Sequence, residues 1–127
     1  SSRVAMILAI LERRAGVKVS DKDVYVSTVG GVRLIEPAAD LAIAVAVASA
    51  MHDFAVPHEV AAVGELSLAG EIRPVTMAGQ RRGEAKRPGY TTLVDADAVT
   101  LSPAINQIKA LAARAAGHAK LRDVPEF

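Results

Sequence analysis

Basic side chains gathered in the middle of the chain carry its clearest chemical potential. Arg81, Arg82, Lys86 and Arg87 sit close together, and Arg33 and Arg73 each follow a glycine-punctuated stretch, at Gly30-Gly31 and at Gly70. Such residues neutralise phosphates, which gives sequence-independent and salt-sensitive binding to nucleic acid. Glu84 lies among them, so on pattern alone a solvated, charged helix face is the simpler explanation of the cluster. Arg33 and Arg73 could instead pair with Glu36 and Glu71. Two pairings, Ser67 with Lys86 and Ser27 with Lys22, offer the residue types of a hydroxyl nucleophile and its base. Each would need a geometry assembled from unrelated elements, and the simpler reading makes Ser67 a turn residue and Lys86 a solvated one. His52 and His58, with Asp53 and Glu59 beside them, flank a helix-ending loop, and His118 lies in the tail. Their spacing matches no zinc pattern, and no metal site is expected. Asp95 and Asp97 read as turn carboxylates, and Glu65 and Glu71 as parts of a hairpin.

The elements that would position these groups follow from periodicity. Arg3 to Ala15 places Val4, Ile7, Leu8 and Leu11 at spacings of three and four, which predicts an amphipathic helix stopped by Gly16. Asp23 to Val32 alternates and predicts a strand pair or bent strand, with a bulge or close backbone approach at Gly30-Gly31. Pro37 to His52 predicts a second helix, with proline suited to its first turn. That helix is apolar nearly all round and should be buried. Val60 to Leu66 predicts a strand, and Gly64 to Arg73 two short strands about a bend punctuated by Gly64 and Gly70. Met77 to Arg87 predicts a weak helix, because Gly79 and Gly83 each cost about 1 kcal/mol relative to Ala. A short strand follows from Tyr90 to Val94. A last helix runs from Ala104 to about Ala116, with Ser102 as its N-cap. The expected class is α+β, one mixed sheet packed with helices.

Composition bounds what remains. The 127 residues suit one domain able to bury a core. Apolar residues make up 51% of the chain, yet there is no Trp and only two Tyr and two Phe, so tightly packed small aliphatic layers are expected. There is no Cys, which removes disulfides and thiolate zinc sites. The formal charge of +1 means that any nucleic-acid binding must come from local clustering. No run approaches the roughly 18 apolar residues of a membrane span, and no cleavable leader is visible, so a soluble intracellular domain is expected.

Four stretches stand in a recognisable order and spacing: the leading helix from Arg3 to Gly16, Val29-Gly30-Gly31-Val32-Arg33, Glu36-Pro37-Ala38-Ala39-Asp40-Leu41-Ala42, and Gly64-Glu65 through Gly70-Glu71-Ile72-Arg73. Together they resemble the C-terminal Lon-like domain of the RadA (Sms) family of bacterial DNA repair and recombination ATPases. The likeness runs from Arg3 to about Val94. It implies a Lon protease catalytic-domain-like fold of the ribosomal protein S5 domain 2 type, spanning residues 1–127 as one domain. The zinc-finger and RecA-like ATPase domains of such proteins are absent from this sequence, which reads as an isolated C-terminal part. The Lon pattern at the nucleophile-bearing turn is Gly-Pro-Ser-Ala-Gly; Ala38 stands at its serine, and in register its lysine falls on Gly79. A methyl group has no lone pair and glycine is no base, so the resemblance implies a degenerate dyad and no peptidase activity. It also implies a hexameric ring and an auxiliary DNA-binding surface supplied by Arg33, Arg73, Arg81, Arg82, Lys86 and Arg87. Recombinase RecA is the implied partner, and the bacterial cytoplasm, close to the nucleoid, the implied location. ATP, Mg and Zn are implied for the other domains and no cofactor for this one. The alternatives are a Lon-like serine peptidase with a displaced nucleophile, or a purely structural oligomerisation module.

Overall fold

Three helices pack around two small strand pairs in a computed structural model that describes residues 2–26, 36–75 and 92–122. Helix α1 (Ser2–Arg14) buries Ile7, Ile10 and Leu11, the stripe that its sequence periodicity requires. Gly16 ends it at φ +68, and the Val17 N–H reaches back to the Leu11 carbonyl at 3.1 Å. That is the left-handed glycine cap, with buried Val17 as its apolar partner. A short 3-10 turn, Pro37–Ala39, then feeds α2 (Asp40–Met51). Helix α2 ends through His52, whose N–H donates to Ala48, and Asp53 follows at φ 54.

Strand β1 (Val60–Ala62) pairs in parallel with β4 (Thr92–Val94), Val60 opposite Thr92 and Ala62 opposite Val94. Strands β2 (Glu65–Leu66) and β3 (Ile72–Arg73) form an antiparallel hairpin, Glu65 opposite Arg73 and Leu66 opposite Ile72. A second 3-10 turn, Ala96–Ala98, precedes α3 (Leu101–Arg122). Leu41, Ala44, Val45 and Ala48 of α2 meet Ile7 and Leu11 of α1, Leu66 and Ile72 of the hairpin, and Leu101, Ala104 and Ile108 of α3 in one core. Each fully buried Leu or Ile there contributes about 1.5–3 kcal/mol. Lys109 of α3 lies 5.7 Å from the ring centre of Phe54, fastening α3 to the end of α2.

The α+β class therefore holds, with both parallel and antiparallel pairing, although the described strands form two pairs and not one sheet. Several expectations need correction. The single strand expected from Val60 to Leu66 is broken at Val63-Gly64, because Gly64 turns its N–H and its carbonyl toward residues 38 and 41. No strand forms over Asp23–Val26, and the rest of that predicted segment lies outside the described residues. Helix α2 is not buried all round: Ala42, Ala46 and Ala50 are exposed. The last helix begins at Leu101, so Ser102 lies inside its first turn and does not cap it; the helix also continues to Arg122. The predicted helix from Met77 to Arg87 lies outside the described residues.

Candidate functional site

The 3-10 turn that carries Ala38 is fixed along one edge of the hairpin by hydrogen bonds. Gly64 N–H donates to the Ala38 carbonyl at 3.1 Å, and Leu41 N–H donates to the Gly64 carbonyl at 3.1 Å. Gly64 has no room for a side chain, since a Cβ there would lie 2.6 Å from Cγ2 of Ile72. Ala38 itself is only 6% exposed. The next residue but one, Asp40, is completely buried at the start of α2. A buried carboxylate requires partners, and Asp40 has three donors. Arg3 Nε and Nη2 donate to its two oxygens at 2.7 and 2.8 Å, and Leu66 N–H donates to Oδ2 at 3.0 Å. The fork of Arg3 matches the carboxylate in the bidentate geometry that makes such pairs strong. Asp40 raises the Arg3 pKa above its already high ordinary value, chiefly through these hydrogen bonds. Nη2 of Arg3 also lies 3.6 Å from Glu65 Oε1. One partly buried ion pair thus ties α1, α2 and β2 together.

A shallow pocket of about 410 Å³ opens over this pair, with Arg3, Glu65, Ser67, Glu71 and Arg73 on its walls. Ser67 is occupied by its own turn: its Oγ accepts Glu71 N–H at 3.1 Å, and its carbonyl accepts Gly70 N–H at 2.9 Å. Among the described residues no lysine lines this pocket. Ser67 is therefore a turn residue, as its sequence setting suggests. Arg73 is exposed on β3 and, among the described residues, has no ion-pair partner. The pairing of Arg73 with Glu71 considered from the sequence does not form. Two arginines against Glu65, Glu71 and Asp40 leave this region without excess positive charge, so Arg73 alone makes no phosphate-binding patch.

The other anticipated positions are not brought to this place. Gly79, Arg33, Arg81, Arg82, Lys86 and Arg87 lie outside the described residues, as does Ser27. His52 caps α2 and is exposed, and His58 is exposed in the following turn. Asp95 caps the second 3-10 turn, accepting Asp97 N–H at 3.0 Å. Among the described residues no three His, Asp or Glu side chains gather as a metal site, and no helix is long and apolar enough to cross a membrane. Sequence reasoning missed Arg3 and Asp40 as a pair. The available signal was a lone aspartate heading an apolar helix, which demands a cationic partner if buried.

A family model described as subunit ChlI of Mg-chelatase matches residues 3–98. The chain belongs to this family. The match covers the Arg3–Asp40 pair and the hairpin and stops before α3. Among curated proteins, the chain is 49% identical over 104 residues to the DNA repair protein RadA of Mycolicibacterium smegmatis, covering 82% of this chain and 22% of that protein. It is 48% identical over 90 residues to the protein of the same name in Mycobacterium tuberculosis (71% of this chain, 19% of that one). With the Treponema pallidum protein it shares 45% over 93 residues (73% and 20%). The chain spans about a fifth of the length of the curated relatives it matches.

Proposed function

We infer that this chain is a Lon-like, non-cleaving domain of a RadA-type DNA repair and recombination protein, with a fold of the ribosomal protein S5 domain 2 type. The observation that carries the reading is the identity of nearly half its matched residues to proteins named DNA repair protein RadA. Ala38 at the turn where a hydrolase would carry its hydroxyl supports the absence of cleavage, since a methyl group cannot attack a carbonyl. The domain serves as an assembly scaffold for a hexameric ring and adds a phosphate-contacting surface to it. Arg33, Arg73, Arg81, Arg82, Lys86 and Arg87 together supply that surface. Contacts of this kind hold DNA without reading its sequence. ATP, Mg and Zn belong to other parts of such a protein, because this chain has neither a phosphate loop of the Walker type nor any Cys. Recombinase RecA is the partner and the bacterial cytoplasm the setting.

The test is a mobility-shift titration with the assembled full-length ring across salt concentrations. The reading expects binding at low salt that weakens when Arg33, Arg81, Arg82, Lys86 and Arg87 are changed to Glu while the ring persists. Equal affinity of the parent and the charge-reversed ring would leave only the scaffold role.

A further inference from the structure

The hydrogen bonds around the hairpin place the outward donors of β2 and β3, and of Gly64 before them, under protein groups. Leu66 and Ile72 face each other in register, and their N–H groups point away from one another. Ile72 N–H is taken by the Val99 carbonyl at 2.8 Å. On the opposite edge Gly64 N–H goes to the Ala38 carbonyl and the Gly64 carbonyl accepts from Leu41, at 3.1 Å each. The remaining donor on that edge, Leu66 N–H, faces no backbone acceptor, and Asp40 Oδ2 takes it at 3.0 Å. An open strand edge is where an extended peptide adds itself, main chain to main chain. We propose that Asp40, held in place by Arg3, is an edge lock that occupies the last outward donor of β2 and closes the strand edge beside the Ala38 turn to extended polypeptide.

The lock rests on the hydrogen bonds. Only the description of the Ala38 turn as a degenerate peptidase site rests on the function proposed above. It makes the loss of peptide handling twofold, since a hydroxyl restored at residue 38 would still face an edge with no free donor. The burial of Asp40 is what gives the lock its strength. A solvated carboxylate would exchange its hydrogen bond with water, whereas one at zero exposure has nowhere else to turn.

Amide hydrogen exchange by NMR on the 127-residue chain tests it. Leu66 N–H should exchange at least tenfold more slowly than the amide of Leu68, which lies in the exposed tip of the hairpin. In Asp40→Gly the Leu66 amide should exchange at least tenfold faster than in the parent, with the Ser67 and Ile72 amides unchanged. Isotope-labelled chain mixed with unfolded casein should show no shift at Leu66 in the parent and a shift there in Asp40→Gly. Leu66 exchanging as fast as Leu68 in the parent overturns the lock, whether or not the variant folds. So does an unchanged Leu66 rate in a folded Asp40→Gly. A casein-induced shift at Leu66 in the parent, or none in the variant, overturns the exclusion of peptide. Failure of DNA binding by the full-length ring would overturn the repair function and leave the lock standing.

Discussion

Truncating Arg3 to Ala leaves Asp40, fully buried in the parent, with one of its three hydrogen-bond donors, Leu66 N–H. Removing one member of a buried ion pair typically costs about 3–5 kcal/mol, most of it the penalty of an uncompensated charge. The Arg3 side chain is 24% exposed, so its removal admits some water to the carboxylate. That places the expected loss lower, at about 2–3 kcal/mol. Asp40→Ala should cost a comparable ~2 kcal/mol, because Leu66 N–H then lacks an acceptor and Arg3 swings into solvent. The diagnostic quantity is the double variant. Once either partner is gone the other has little left to lose, so Arg3→Ala with Asp40→Ala should cost only about 2–3 kcal/mol, and the coupling should come to about 2 kcal/mol. Urea denaturation followed by helical circular dichroism measures all three, provided the slope with denaturant stays constant. Losses in the double variant that equal the sum of the singles within about 0.5 kcal/mol would refute the coupling. So would a loss below about 0.5 kcal/mol for Arg3→Ala, the range of an ordinary surface pair.

Three other expectations follow from local geometry. The hydroxyl of Ser20, with the amides of Ser20 and Val19, holds the Glu12 carboxyl below its usual range. A carboxyl depressed in the folded state stabilises fully above its unfolded value, near pH ~4.3, and that stabilisation fades as pH falls through the folded value. Denaturation midpoints measured downward through this range should fall less in Glu12→Gln than in the parent; identical slopes would contradict the assignment. Gly64→Ala drives a methyl against Ile72 at 2.6 Å and should destabilise by about 1–3 kcal/mol, with no loss removing the need for glycine. Val99 sits at φ 70 and ψ −55, and Thr100 N–H donates to the Ala98 carbonyl at 2.8 Å, the strained γ-turn that few β-branched residues adopt. Strain of about 1–3 kcal/mol exceeds the roughly 0.4–1 kcal/mol by which glycine loosens the unfolded chain. Val99→Gly should therefore raise the melting temperature, and a lower one would show that the turn is relaxed.

Local pattern made much of the fold legible. The three- and four-residue spacing of Ile7, Leu8 and Leu11 gave α1, and Gly16 marked its end. Pro37 announced the entry into α2, and Gly64 and Gly70 framed the hairpin within a residue or two. What stayed hidden depends on tertiary context. The break at Val63-Gly64 arises because residues from a different element take both polar groups of Gly64. Helix α3 runs to Arg122, past the expected end near Ala116, since its Ala, Lys, Leu and Arg residues favour helix on either side of Gly117. Exposure of Ala42, Ala46 and Ala50 shows that an apolar alanine stripe need not face the core. The Arg3–Asp40 pair spans 37 positions of sequence, so no local window joins the two residues. The sequence did present the turn around Ala38, but what its neighbour Asp40 does there required the packing of three elements.

The decisive measurement is the salt dependence of DNA affinity for the full-length ring, by fluorescence anisotropy, with Arg81, Arg82, Lys86 and Arg87 intact or all changed to Glu. If these four residues contact phosphates of duplex DNA, their loss should reduce the slope of log K against log salt by about 3–4, with ring assembly preserved. An unchanged slope with an intact ring would contradict DNA binding by this domain.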